Sequence, residues 1–109
     1  MQIIDDDLAQ SQFADLDAQT TAMLVAAVEQ DFTTWTDRLA HAAGAADGDA
    51  TRRARHALSG LCGAFGATDL MQACTGPLAS QSDRQALLAV NIATIAAIRL
   101  AATTVSARL

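Results

Sequence analysis

Apolar residues in this chain recur at steps of three and four, the spacing that lays them along one side of an α-helix. From about Thr20 to Ala43 they fall at Leu24, Val25, Val28, Phe32, Trp35, Leu39 and Ala42, and the run Gly44-Ala-Ala-Asp-Gly48 interrupts them. A second stripe comprises Ala54, Leu58, Leu61, Cys62 and Phe65. Asp49 can cap that helix, and Gly66 tolerates the positive φ that closes one. The third, Ala67, Leu70, Met71 and Cys74, runs into Gly76-Pro77. Proline lacks the amide donor and clashes with the preceding turn, so this is expected to be the shortest of the main helices. Ser82-Asp-Arg-Gln85 fits a capping box, after which Leu88, Ile92, Ile95, Ile98, Ala102, Val105 and Leu109 carry a last stripe to the end of the chain. Asp5-Asp6-Asp7 suits the positive amino end of a short leading helix, with Leu8, Phe13 and Leu16 as its apolar contacts.

Four such helices joined by short polar loops bury their stripes most simply as an antiparallel up-down-up-down four-helix bundle, with residues 1–17 as an arm carrying the short helix. An all-α fold also suits the composition. Apolar residues reach 51%, yet aromatics are only 4% and proline occurs once, whereas sheets draw on β-branched and aromatic side chains. A length of 109 residues gives a single domain, 1–109, with one core and no room for an active site between two lobes.

The net charge is -5, there is no lysine, and Arg38 is the first positive residue, leaving the amino-terminal third wholly acidic. Nucleic acid and anionic membrane are therefore not expected as partners. Met-Gln-Ile-Ile-Asp-Asp-Asp lacks the basic start of a signal peptide, and the apolar runs read as shorter than the roughly 18 residues of a membrane span. The expected location is cytoplasmic. There Cys62 and Cys74 are reduced, buried, small apolar residues that form no metal motif with His41 or His56. His41 reads as a helix-end histidine facing solvent or the dipole, and Phe32 and Trp35 as core.

His56 belongs to a different face. At about 100° per residue it lies roughly opposite the stripe of the second helix, with Arg52 one turn before it, Ser59 and Gly60 one turn after and Gly63 two turns after. Glycine in a helix interior costs about 1 kcal/mol relative to alanine, and outward glycines recover nothing from packing within the bundle. Missing side chains at Gly60 and Gly63 open a floor beside the imidazole, where another molecule's backbone or phosphoryl group can approach. A neutral imidazole is a nucleophile suited to that position.

The segment His56-Ala-Leu-Ser-Gly60, followed by Gly66-Ala67, Leu70 and Cys74, resembles the histidine-containing phosphotransfer (HPt) domain. That family's pattern runs approximately His-x-Leu-Lys-Gly, then Gly-Ala, Leu and Cys at matching offsets. The resemblance implies an antiparallel four-helix bundle with an exposed phosphoacceptor, here His56. It also implies response-regulator receiver domains and a hybrid sensor histidine kinase as partners, with Mg²⁺ held by the receiver and no metal or other cofactor held by this chain. The protein is then a monomeric phosphocarrier rather than an enzyme. In agreement, a Walker-type P-loop needs a lysine the chain lacks, and Gly60-x-x-Gly63-x-x-Gly66 lies within a helix rather than after a strand.

Two departures from the pattern bear on function. The lysine three residues after the histidine is Ser59, which offers a hydrogen bond but no charge. Arg52 is positioned to supply that charge, with Arg53 and Arg55 within reach. Thr75-Gly-Pro-Leu78-Ala displaces the family's third-helix leucine by one position, so assistance to His56 from that helix is not expected. Two alternatives stand beside the phosphocarrier: a bundle that docks on a receiver or kinase without carrying phosphate, and a structural bundle that dimerises through its helix faces.

Overall fold

The computed structural model describes residues 3–108. Among these the chain forms five helices and no strand: α1 (Asp6–Phe13), α2 (Ala18–Gly44), α3 (Gly48–Phe65), α4 (Thr68–Thr75) and α5 (Gln81–Ser106). Leu109, the expected end of the last stripe, lies outside the described residues.

Side-chain caps set most helix starts. Asp5 accepts from the Leu8 amide at 3.0 Å, Asp17 from Thr20 at 2.7 Å, and Asp47 from Ala50 at 3.1 Å. Asp47, not Asp49, therefore caps α3. Gly48 enters the helix and Asp49 falls in the first turn, where its charge still complements the dipole. Ser80 rather than Ser82 caps α5, accepting from the Asp83 amide at 3.0 Å. The serine cap thus lies two residues before the expected one, and Ser82 becomes helical.

At its carboxyl end α3 closes as its sequence indicates. Gly66 is left-handed, at φ 61 and ψ 37, and its amide donates to the Cys62 carbonyl. A second reason for glycine there comes from the amino-terminal arm. The Asp5 amide donates to the Phe65 carbonyl at 3.1 Å, and a Cβ at position 66 would lie 2.4 Å from the Asp5 Cβ. Gly76 then ends α4 in extended backbone ahead of Pro77.

α2 packs against α3 and α5, α4 against the same two helices, and α1 lies across α3 and α5. At roughly 1.5 Å per residue, α2 runs about 40 Å along a molecule whose longest extent is 47 Å. Phe65 joins three helices, its ring centroid 6.2 Å from Phe13 and 5.9 Å from Phe32. Leu39, Leu58, Leu70, Leu87 and Ile98 complete the fully buried set of large aliphatic residues.

Several stripes sit differently from expectation. α1 is anchored by Ala9 and Phe13, while Leu8 is 38% exposed and Leu16 half-buried. On α2, Leu24, Val25 and Trp35 pack only partly against the core, and Thr21 and Thr36 take buried positions along the line. The largest shift is in α5, which buries Leu87, Asn91, Thr94, Ile98, Ala101 and Ala102 but leaves Ile92 70% exposed. Alanine, leucine and isoleucine occupy nearly every side of α5, so period alone does not choose its inward face.

That same composition overturns the expectation that no apolar stretch reaches span length. From Gln85 to Ile98 the chain carries no charge, and α5 is long and apolar enough, by length and composition, to cross a membrane.

Candidate functional site: the outward face of α3

α3 buries Ala54, Leu58, Cys62 and Phe65 and exposes His56 on its opposite side, as the helical period requires. Gly60 and Gly63 are also exposed, and a Cβ built on either meets nothing within 4 Å. Nothing in the fold therefore demands glycine at these two positions. The backbone beyond the imidazole is open to an approaching molecule.

The polar residues expected around His56 separate into different roles. Arg52 is exposed and pairs at 2.9 Å with Asp49, one turn earlier on the same helix. Such an exposed pair is weak, so its guanidinium can swing away without consequence for the fold. Arg55 is half-buried, and donates from Nε to the Cys74 carbonyl and from a terminal nitrogen to the Gly76 carbonyl, both at 2.9 Å. It satisfies the open carboxyl end of α4 and is not a free cation for His56. Arg53 is exposed on the flank nearest α2. Ser59 departs from the outward set: it is half-buried, near enough to the Cys74 thiol for its hydroxyl to favour the thiolate.

Cys62 and Cys74 are both buried free thiols that meet across the α3–α4 contact, and the Cys74 Sγ donates to the Met71 carbonyl at 3.3 Å. Stabilisation of the Cys74 thiolate by the Cys62 thiol is the main influence lowering Cys74 to about 7. Burial opposes it, while the Ser59 hydroxyl and the Arg55 guanidinium reinforce it. The Cys62 thiol is pushed up by the same interaction and by burial. Burial of both follows from their stripes. Their pairing does not, because it depends on how the chain turns at Gly66 to fold α4 back on α3.

Among the described residues no group of three or more His, Cys, Asp or Glu side chains is placed to hold a metal ion. His41 is exposed in the last turns of α2, on the wall of a cleft shared with α3. No protein-family model, curated protein or solved structure matches the chain.

Proposed function

We propose that this protein is a histidine phosphotransfer carrier of the HPt type, a single cytoplasmic, monomeric domain whose long helices form an antiparallel four-helix bundle. His56 accepts a phosphoryl group from the aspartate of one receiver domain and passes it to another, within a multistep relay that a hybrid sensor histidine kinase feeds. The observation that carries this reading is the exposed imidazole on α3 beside two glycines whose missing side chains the fold does not require.

In loading, an imidazole nitrogen attacks phosphorus in line as the aspartyl P–O bond breaks, and the carboxylate leaves while the imidazole proton passes to solvent. In unloading, the second receiver's aspartate attacks phosphorus as the P–N bond breaks, and the imidazole takes a proton back. Mg²⁺ on the receiver's acidic residues supports the charge. This chain supplies the nucleophile, the clearance and one exposed cation, Arg52, one turn before His56, while Ser59 stands where the family has lysine.

Incubation with a phosphorylated receiver domain tests the proposal. Acid-labile label on His56 that disappears in His56→Gln is the expected result, and absence of label on His56 rejects it.

A second reading, a bundle that docks on a receiver or kinase without carrying phosphate, draws support from the neighbours of His56. Arg55 is committed to carbonyl groups, and Ser59 turns toward Cys74. Receiver binding that survives His56→Ala, without phosphoryl transfer, favours that reading.

A further inference from the structure

All of the chain's fixed positive side-chain charge resides in seven arginines. Five are engaged: Arg52 with Asp49, Arg55 with two carbonyls of the α4 terminus, and Arg84 with the carbonyls of Leu78 and Ala79. Arg99 pairs with Glu29, and Arg108 donates to Gln10. Among the described residues, Arg38 and Arg53 alone have no hydrogen-bond or ion-pair partner, and both line one cleft of about 500 Å³ between α2 and α3.

The apolar part of the cleft lining is Trp35 with Ala42, Ala45 and Ala50. Arg38 holds its guanidinium 4.8 Å from the centre of the Trp35 ring, a cation–π contact that leaves its N–H groups unfilled. His41 stands on the wall. Two carboxylates are also present. Asp47 is occupied as the cap of α3, and Asp37 also lines the cleft.

We propose that the cleft is a binding site for a small organic anion, a single carboxylate on a flat apolar body. The body lies against Trp35 and the alanines, while the carboxylate takes paired N–H donors from Arg38 and Arg53. The volume falls in the roughly 300–1,000 Å³ range of small-molecule pockets, whereas a protein partner needs a broad surface of about 800 Å² per side. Asp37 and Asp47 reduce the positive charge, which selects a monoanion over a phosphate-rich ligand such as a nucleotide. This site is separate from His56 and does not rest on its phosphorylation.

Trp35 is the single tryptophan and there is no tyrosine, so its indole N–H resonance and its fluorescence report on the cleft directly. Titration with 1-naphthoate, set against neutral 1-naphthalenemethanol, tests the site. The expected result is a saturable shift of the Trp35 indole resonance with the carboxylate and only a weak one with the alcohol. Arg53→Gln and Arg38→Gln each weaken naphthoate binding by about tenfold, the loss of a charged hydrogen bond. His56→Gln leaves binding unchanged. The proposal is overturned by absence of a saturable shift at the solubility limit of naphthoate, by equal shifts with the alcohol, or by undiminished binding in both folded arginine variants.

Discussion

Arg55 on α3 donates to the main-chain carbonyl of Cys74 on α4 at 2.9 Å, and to that of Gly76 at the same distance. One guanidinium thereby closes the end of a helix that carries no basic residue in its last turn. Replacement by alanine leaves two partly buried carbonyls short of donors, at a cost of about 2 kcal/mol. The expected fall in melting temperature is about 10 °C for a domain of this size. Thermal unfolding followed by circular dichroism checks this, and Arg55→Lys should recover only part of the loss because an ammonium cannot span both carbonyls as a fork.

The three glycines of the α3 motif should respond in opposite ways. Gly60→Ala and Gly63→Ala add a methyl group to open space in a helix and are expected to stabilise the fold by about 0.5–1 kcal/mol each. Gly66→Ala must hold φ near +61° and displace Asp5, at a cost of at least about 2 kcal/mol. Urea midpoints for the three variants settle the signs. If the double variant Gly60→Ala, Gly63→Ala is more stable yet slower in transfer to His56, the glycines serve access rather than folding.

The inward side of α5 is tested by alanine scanning. Leu87→Ala empties a fully buried position and should cost about 2–5 kcal/mol. Ile92→Ala and Leu100→Ala truncate residues about two-thirds exposed, and should change stability by no more than about 0.5 kcal/mol. A large loss at Ile92 would place the inward face where the apolar period alone puts it.

These contrasts explain how much was legible in the sequence. α3 mixes polar and apolar residues sharply, so period alone locates its buried face and sets His56 opposite. α5 lacks such contrast, and its inward face is chosen by what α1, α2 and α4 present to it, a tertiary property. Helix ends at Gly66 and Gly76 follow from backbone chemistry local to the chain. Caps are harder to place, because Asp47 and Asp49, or Ser80 and Ser82, offer equivalent oxygens two residues apart. Pairs made across helices are beyond any local pattern. Arg55 with Cys74, Ser59 with Cys74, and Cys62 with Cys74 all depend on the angle at which α4 returns along α3. Consequently His56 and its glycines emerge from the sequence, while the diversion of Ser59 and Arg55 emerges only from the fold.

The thiol pair makes a prediction in pH. Alkylation proceeds through the thiolate, so its rate follows the ionised fraction. With the Cys74 thiol held down to about 7 by the Cys62 thiol, iodoacetamide labelling of native protein should rise through neutral pH and then level off. An unperturbed thiol keeps gaining up to about 9. Cys62, pushed the other way, should show no levelling across that range. Both sulfurs are buried, so labelling occurs on local opening and is slow beside that of unfolded protein. Removing Cys62 by Cys62→Ala should move the Cys74 midpoint upward. Peptide mapping by mass spectrometry distinguishes the sites, and equal labelling of the two cysteines with a shared midpoint near 9 would rule out the asymmetry.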